Sequence, residues 1–309
     1  MRITSDLSAL DKKLPYPIVA IGVFDGLHLG HQSILEILRR RAKQFAGTTI
    51  LLSFTPHPQK IIAPQSAPLL LQTSEQKQEL LRQLGVDVLV ELPFNRRLSL
   101  LSPAEFVEQN LVRHGIREIH VGSNFRFGHR RSGDFDLLYE LGARHSYQVF
   151  ECPILEVRGL RVSSTRVRNF LRAGQVSLAG RLLGRPYEVR GTVVRGACRG
   201  RELGFPTANL KALNELIPAF GVYVTRARIN GESFESVTNI GYRPTLESNA
   251  PLTVETHLLG VEADLYGKAM SLEFCCRIRG ERRFSGVGEL KTRIGKDIEW
   301  AKRYFGRVG

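Results

Sequence analysis

The first half of the chain alternates between two patterns of apolar and polar positions. Short continuous apolar stretches predict buried strands because they are brief, rich in β-branched residues and bounded by turn residues. The segments between them carry apolar residues at helical spacing, so we expect a parallel, doubly wound α/β sheet with helices on both faces. The predicted strands cover Ile18 to Phe24, Thr49 to Phe54, Val86 to Leu92, Glu118 to Gly122 and Tyr147 to Phe150.

Three helices are predicted between these strands. The first begins near His28, and the second follows Thr73. The third begins after Ser102, where Ser-Pro-Ala-Glu forms a capping box with proline at the first helical position, and ends before Gly115. In such an architecture, ligands bind at the carboxyl ends of the strands.

A different pattern starts after Pro186, where short stretches of alternating polarity follow one another. Asn230-Gly231 predicts a tight hairpin turn between two of them. We expect an antiparallel β barrel closed by a C-terminal helix from about Gly288 to Tyr304, and hence two domains, residues 1–185 and 186–309. The predicted strands are Tyr187 to Val194, Gly221 to Ile229, Phe234 to Asn239, Leu252 to Leu259 and Met270 to Ile278.

The composition and the N-terminal sequence predict where in the cell the protein is found. With 309 residues and 42% apolar content, the chain can bury two cores. No apolar run approaches the length of a membrane span, and the N-terminus lacks a signal-peptide pattern, so we expect a cytoplasmic protein. The cysteines have no metal-ligand spacing and are expected to be free structural thiols, with the vicinal pair on alternate faces of a strand. They are Cys152, Cys198, Cys275 and Cys276.

The net charge of +14 indicates an anionic partner. Nucleic acid is one candidate, and ATP, pyrophosphate and phosphorylated small molecules are another. The densest basic cluster, Arg39 to Lys43, is predicted to lie on a solvated helix face. Since the chain has neither a basic tail nor an aromatic-interleaved basic motif, nucleic acid is disfavoured. The oligomeric state is left open.

The stretch IGVFDGLHLGH, Ile21 to His31, carries the first candidate chemistry. A strand ends, the chain turns on glycine, and a helix begins with two histidines three residues apart. Glycine lets backbone approach a ligand, and a helix N-terminus presents free N–H groups to an anion. The pattern predicts a phosphate site, although a single histidine would more often cap or pack.

Two further loops follow predicted strands. His57 lies between two prolines, which hold it either over a pocket or in a rigid loop. Asn124, Phe125 and Phe127 lie at another strand end, where the aromatic rings could stack on a planar ligand. At least one of these two phenylalanines is expected to pack into the core instead.

Two more segments offer polar groups for anions or cations. Ser164 or Thr165 is a good N-cap with Arg168 one turn later, which predicts an anion cradle or a plain capped helix. Thr207 and Asn209 offer a hydroxyl and an amide oxygen two residues apart, either as ligands for Mg²⁺ or as polar residues in a turn.

Together these segments resemble the bacterial bifunctional riboflavin kinase/FMN adenylyltransferases, or FAD synthetases. The opening stretch is similar to GxFDGxHxGH, and Val162 to Arg168 to ISSTxxR, both signatures of nucleotidylyltransferases. FTPHP and GSNFRFG are similar to F-x-PHP and G-x-[DN]-F-x-FG, with Asn124 where Asp is also frequent. GFPTAN is similar to the GxPTAN motif of riboflavin kinases. The resemblance runs from about residue 15 to 305.

The resemblance implies roles for particular residues. In the barrel, it implies Mg²⁺ ligation by Thr207 and Asn209, and Glu255 as the base for the ribityl hydroxyl. In the N-terminal domain, it implies catalysis by His28, His31 and Arg168. Substrate-binding positions are implied at Gly22, Phe24, Asp25, Gly26, His57, Asn124, Phe125, Arg161, Ser164, Thr165, Gly204 and Pro206.

The implied activity has two steps. ATP phosphorylates riboflavin to FMN in the barrel, and a second ATP adenylylates FMN to FAD with release of pyrophosphate. One alternative is a nucleotidylyltransferase for another small phosphorylated substrate with a non-catalytic β domain, which leaves PTAN and the downstream Glu255 unexplained. The other is a basic nucleic-acid-binding protein on the same scaffold.

Overall fold

The computed structural model describes residues 1–9, 14–196, 204–242, 252–261, 263–282 and 284–308. Contacts divide the chain into two compact units, Met1–Leu69 with Ser74–Val162, and Leu70–Thr73 with Ser163–Gly309. This division lies earlier in the chain than the change of hydrophobic pattern at Pro186. The domain limits expected from the sequence stay a prediction.

The first unit contains a six-stranded sheet whose neighbouring strands are all parallel, in the order β1-β4-β3-β2-β5-β6. Its edge strand β1 was not expected from the sequence, because three residues are too few to show a period. The strands are β1 Arg2–Thr4, β2 Pro17–Ile21, β3 Thr48–Thr55, β4 Val88–Pro93, β5 Glu118–Gly122 and β6 Gln148–Cys152. A short antiparallel pair, β7 Glu156–Val157 and β8 Leu160–Arg161, follows.

Both faces of this sheet are covered, which confirms the doubly wound prediction. Ile18 and Ala20 of β2 pack with one helical layer, while Val19 and Ile21 pack with the other. A strand buried on both sides has no polar face, so its sequence is continuously apolar. The helices of the unit are α1 Leu29–Phe45, α2 Pro58–Ile62, α3 Ser74–Gln83, α4 Arg96–Ser99, α5 Pro103–Asn110 and α6 Phe135–His145.

The structure confirms some of the local features predicted from the sequence and differs from others. The capping box is confirmed: Ser102 and Glu105 bond reciprocally at the start of α5. Strand β2 ends at Ile21, before the predicted end at Phe24, because Phe24 has a φ of 52° that a strand does not accept. Arg41 does not lie with Arg39 and Arg40 on the solvated face, because its guanidinium turns inward to a buried carboxylate.

That carboxylate belongs to Glu118, which is fully buried at the start of β5. Arg41 donates to both of its oxygens, at 2.5 and 3.0 Å, while the Tyr16 hydroxyl and His120 Nε2 each donate at 3.1 Å. Burial alone would raise the pKa of Glu118, but these hydrogen bonds hold it below its ordinary value. The carboxylate therefore ties α1 to the centre of the sheet as an anion.

The second unit contains a closed antiparallel barrel in the order β10-β13-β12-β11-β14-β9. The hairpin at Asn230-Gly231 is confirmed, and both residues have the positive φ that a tight turn of this kind needs. The strands are β9 Tyr187–Val194, β10 Ala208–Ala212, β11 Gly221–Ile229, β12 Glu232–Tyr242, β13 Leu252–Leu258 and β14 Ala269–Arg279. The helices are α7 Ser164–Arg172, α8 Val176–Leu183 and α9 Val287–Val308.

The outside of the barrel is covered in part by α9. Ala301 and Phe305 of α9 pack on Val222, Val224 and Val237. Cys275 and Cys276 both pack against this cluster, whereas the alternation of a regular strand would place them on opposite faces. The reason is an irregularity in the register of β14, which skips Cys275 between the partners of Val224 and Thr225.

A row of buried hydroxyl groups crosses the inside of the barrel. Thr225 Oγ1 lies 2.8 Å from Ser236 Oγ and 2.6 Å from Thr238 Oγ1. Thr238 Oγ1 in turn lies 2.9 Å from Thr256 Oγ1. All four residues are fully buried, so the network satisfies polar groups that would otherwise be costly in a core.

We predict that Glu118→Gln lowers the free energy of unfolding by about 2–3 kcal/mol, because it removes the charge that Arg41 faces and weakens several buried hydrogen bonds. Urea denaturation measures the change. Glu36→Gln is the control, since Glu36 pairs with Arg39 and Arg40 on the exposed surface of α1 and should leave the midpoint almost unchanged. Equal midpoints for Glu118→Gln and the wild type would contradict the prediction.

Candidate active sites

The loops predicted to carry the chemistry of the first unit all follow the carboxyl ends of strands and therefore lie at the same end of the parallel sheet. Strand β2 pairs with β3 on one side and β5 on the other, so the strand order reverses beside β2. This is the position at which open α/β sheets bind ligands. The loops that follow β3, β2 and β5 carry His57, the stretch Gly22 to His28, and Asn124 with Phe125, respectively.

The loop after β2 is tightly wound and buried. Phe24, Gly26 and Leu27 have φ values of 52°, 84° and 40°. Only Gly26 adopts this region without strain, so the surrounding structure must hold the other two. Phe24 and Asp25 are both 4% exposed, and the Phe24 ring lies 4.7 Å from the His31 ring, centroid to centroid.

His28 and His31 form a stacked pair at the N-terminus of α1. Their ring centroids are 3.6 Å apart, and His28 Nδ1 accepts the backbone N–H of His31 at 3.2 Å. His28 is thus the N-cap of α1, and the capping role and a place in the site are compatible. Because Nδ1 is an acceptor, a neutral His28 carries its proton on Nε2.

The imidazole of His31 is held neutral. Its Nδ1 is buried and has no hydrogen-bond partner within the described part of the chain. Burial, the adjacent His28 and the Lys77 charge hold the pKa of His31 well below its ordinary value. His31 is therefore an imidazole rather than an imidazolium at neutral pH.

Lys77 is a component of this region that the sequence analysis did not single out. Its ammonium lies under the loop and donates to the Val23 carbonyl at 3.0 Å and to Ser53 Oγ at 2.5 Å. Lys77 is one position in a polar helix sequence, SEQKQELLRQ, where a lysine is ordinarily solvated. No local signal distinguished it.

The other predicted positions of the first unit have varied surroundings. His57 Nδ1 accepts the Gln59 N–H at 3.1 Å and caps α2. Asn124 is exposed and Phe125 half-buried, while Phe127 is 7% exposed and stacks on Phe125 with centroids 5.3 Å apart. The expectation that at least one phenylalanine belongs to the core is confirmed by Phe127.

The segment that resembles ISSTxxR crosses the boundary between the units. Arg161 ends β8, where it pairs with Glu156 and is exposed. The N-cap of α7 is Ser163, which accepts the Arg166 N–H, so the expected caps at Ser164 or Thr165 were wrong by one or two positions. Three consecutive hydroxyl residues left the choice open. Arg168 is buried in the second unit.

The barrel brings two of its predicted residues together on its outer face. Asn209 on β10 is the direct register partner of Glu255 on β13, and Asn239 on β12 is opposite Glu255 on its other side. Direct cross-strand partners have Cβ atoms about 4.5–5.5 Å apart. Half-buried Glu255 thus has an asparagine as its neighbour on each adjoining strand.

The amide of Asn209 is well suited to ligate a cation. Its Oδ1 is buried and has no hydrogen-bond partner among the described residues. A Cβ on Gly196 would lie 2.1 Å from its Nδ2, so glycine at this position leaves room for the orientation that the Asn209 side chain adopts. Such an unsatisfied oxygen fits a hard cation such as Mg²⁺.

The loop that leads into β10 is held by His257, a residue that the sequence analysis missed. His257 Nδ1 donates to the Pro206 carbonyl at 2.8 Å, and its ring meets Phe205 edge-on. Gly204 is exposed with a φ of 84°. Thr207 follows Pro206 and directly precedes β10, whereas residues 200–203 lie outside the described part of the chain.

The described ranges contain no cluster of three or more histidine, cysteine, aspartate or glutamate side chains that could hold a metal ion. No helix in these ranges combines the length and apolar character needed to cross a bilayer.

The parallel sheet, and the glycine turn after β2 where the strand order reverses, place the first unit among the nucleotide-binding α/β domains. In this chain that domain is followed by a β barrel with its own polar site. Family models match both parts: FAD synthetase over residues 11–166 and riboflavin kinase over residues 183–305. The chain belongs to the bifunctional riboflavin kinase/FMN adenylyltransferase family.

Curated relatives under that name cover nearly the whole chain. The protein of Pseudomonas fluorescens is 41% identical over 286 residues, 92% of each chain. That of Escherichia coli K12 is 36% identical over 291 residues, 94% of this chain and 93% of the relative. A crystal structure from Streptococcus pneumoniae named macrolide-efflux protein has a TM-score of 0.86 and 27% identity, covering 97% of this chain and 98% of its own. This last similarity supports the fold.

We predict that the protein loses stability as the pH falls from about 7.5 to about 5.5. The unfolded chain binds a proton at His31 in this range while the folded protein does not, so protonation favours unfolding. Urea midpoints at the two pH values measure the loss, which should be smaller in His31→Gln. His145→Gln, in the last turn of α6, is the control. A loss of the same size in His31→Gln would contradict the prediction.

Proposed function

We propose that this chain makes FAD from riboflavin in two ATP-dependent steps, phosphorylation in the barrel and adenylyl transfer in the α/β unit. The proposal depends chiefly on the pairing of Asn209 with Glu255 across neighbouring strands. A barrel that served only for binding would not need a buried, unsatisfied amide oxygen next to a carboxylate. The alternative with a non-catalytic β domain is therefore not favoured.

In the barrel, Glu255 is the general base. Its carboxylate accepts the proton of the riboflavin 5′-hydroxyl as that oxygen attacks the γ-phosphorus of ATP, and ADP leaves. Asn209 and Asn239 flank the carboxylate and restrict its rotamers. Mg²⁺, held by Asn209 Oδ1 and the Thr207 hydroxyl, would neutralise charge on the ATP phosphates. Gly204 and Pro206 shape the loop that presents these ligands.

In the α/β unit, the phosphate of FMN attacks the α-phosphorus of ATP and pyrophosphate leaves. The nucleophile is already an anion, so the protein needs no strong base and acts by positioning and by stabilising charge. The N-terminus of α1 and the Nε2–H of His28 supply hydrogen-bond donors to the phosphates. His31 stacks on His28 and holds its ring in place. Gly22, Phe24, Asp25 and Gly26 form the turn that positions them.

Several assignments rest on the motifs alone. The roles of His57, Asn124 and Phe125 in flavin or nucleotide binding stay predictions. So do those of Arg161, Ser164, Thr165 and Arg168. Cytoplasmic location also stays a prediction, supported by the free thiols of Cys152, Cys275 and Cys276, which suit a reducing compartment. The substrates proposed are riboflavin, FMN and ATP, without a role for nucleic acid.

The first test separates the two steps with matched variants. His28→Asn keeps a side chain that caps helices well but removes the imidazole, whereas His28→Ala removes both. If the imidazole stabilises charge, both variants should slow formation of FAD from FMN by about 10²- to 10³-fold and accumulate FMN from riboflavin. Flavins are resolved by chromatography after incubation with Mg-ATP. Normal FAD formation by His28→Asn would reduce His28 to a helix cap.

Glu255→Gln tests the kinase step in the same assay. It preserves the size of the side chain between the two amides but removes the base, so it should form no detectable FMN from riboflavin. Supplied FMN should still be converted to FAD at the wild-type rate. Wild-type protein that leaves riboflavin untouched would refute the kinase assignment.

The Mg²⁺ assignment predicts a selective change in metal dependence. Asn209→Ala should raise the Mg²⁺ concentration for half-maximal FMN formation by at least about tenfold, because a buried ligand is lost. The Mg²⁺ dependence of the FMN-to-FAD step is the internal control and should not change. Asn239→Ala, on the other side of Glu255, is the matched variant. An equal shift in Asn239→Ala would show that the effect acts through Glu255 rather than through metal ligation.

A further inference from the structure

Lys77 is a buried cation that the two-step mechanism above does not use. Only 8% of the residue is exposed, although lysine is ordinarily among the most exposed residues. Its ammonium reaches from α3 to the carboxyl edge of the sheet, where it donates to Val23 O and Ser53 Oγ. Burying a cation costs free energy unless its partners compensate for the lost hydration. The partners of this ammonium therefore indicate why it is buried.

The partners of Lys77 converge on one backbone carbonyl. Ser53 Oγ also donates to Val23 O, at 3.0 Å, so lysine, serine and carbonyl form a closed triangle. Ser53 is fully buried at the end of β3, and Lys77 lies on a separate helix. Two elements of the scaffold therefore hold the same peptide group of the loop.

The carbonyl they hold directly precedes the strained part of the loop. The peptide between Val23 and Phe24 leads into a phenylalanine with a φ of 52°, and Leu27 follows with a φ of 40°. Residues other than glycine are strained in this region and persist there only where the surrounding structure enforces it. A charged donor on the Val23 carbonyl fixes the plane of the peptide from which the turn starts.

The charges around Lys77 belong to the same site. Burial lowers the pKa of Lys77 to about 8, while Glu91 on β4 and Asp25 in the loop favour its charged form. On the other side, the Lys77 charge contributes to keeping His31 on α1 neutral. The ammonium therefore interacts electrostatically with both Asp25 and His31.

We propose that Lys77 is a positioning residue for adenylyl transfer, which holds the Val23 carbonyl so that the left-handed turn at Phe24 presents the histidine pair to the nucleotide phosphates. The inference rests on the proposed adenylyl transfer. Lys77 itself does not touch the reacting atoms in this assignment. It acts through the backbone of the loop.

The test compares Lys77→Met with wild type in both reactions of the same chain. Methionine keeps an unbranched side chain of similar length and removes the charged donor. The kcat for FAD formation from FMN should fall by about 10- to 100-fold, because a displaced loop misplaces the groups that align the reactants. KM for FMN and ATP should change by less than about threefold, and the kinase step should keep its wild-type rate. Lys43→Met, an exposed lysine of α1, is the matched control.

A pH profile reports on the charge of Lys77. In wild type, kcat for the adenylyl step should fall as the pH rises through about 8, since the ammonium loses its proton there. Lys77→Met should lack this alkaline limb. The other titratable groups that face Lys77 are Asp25 in the loop, Glu91 on β4 and the neutral His31, which gains no proton as the pH rises.

Ser53→Ala keeps the inference testable if Lys77→Met fails to fold. It removes one corner of the triangle and should lower the same kcat. Where Lys77→Met does fold, the losses of the double variant should not add, since both side chains hold one carbonyl. A kcat for Lys77→Met within about twofold of wild type, or an unchanged alkaline limb, would overturn the inference. So would a loss of both reactions together in Ser53→Ala. Wild-type protein that makes no FAD from FMN would refute the proposed function instead.

Discussion

Strand β2 is buried on both faces and hydrogen bonded along both edges, and this constraint organises the first unit. A strand held on four sides delivers the chain to one fixed point at the carboxyl edge of the sheet. The loop that follows must reverse direction within a few residues and open α1. Its backbone is strained by that sharp turn, while His28 caps the helix that follows and the Lys77 ammonium donates to its Val23 carbonyl.

The first unit buries ionised groups of opposite sign at opposite ends of the same sheet. Glu118 lies at the amino end of β5 and is matched by Arg41, Tyr16 and His120, where it ties a helix to the sheet. Lys77 lies near the carboxyl edges, against Val23 and Ser53. The first group faces away from the predicted ligand edge and is structural. The second touches the loop that carries the predicted chemistry.

In the barrel, the inward-facing residues form the core and the outward-facing residues include the candidate site. Thr225, Ser236, Thr238 and Thr256 point inward and satisfy one another, so the core remains closed. The residues that alternate with them, including Asn239 and Glu255, point outward beside Asn209. A shift of one residue in the pairing of β13 would exchange these sets, which makes the register of the barrel a requirement of the site.

The sequence by itself determined the two architectures, because apolar periodicity, the capping box at Ser102 and the Asn230-Gly231 turn are local signals that tertiary contacts did not override. It also located the residues with candidate chemistry, since glycine, histidine and hydroxyl side chains at strand ends form recognisable patterns. Only the tertiary structure decided the contacts of Lys77, Arg41 and His257, because the sequence around each of them is ordinary for a solvated residue. It also decided that Asn209 and Glu255 are neighbours, because strand register depends on contacts between distant segments rather than on any local pattern.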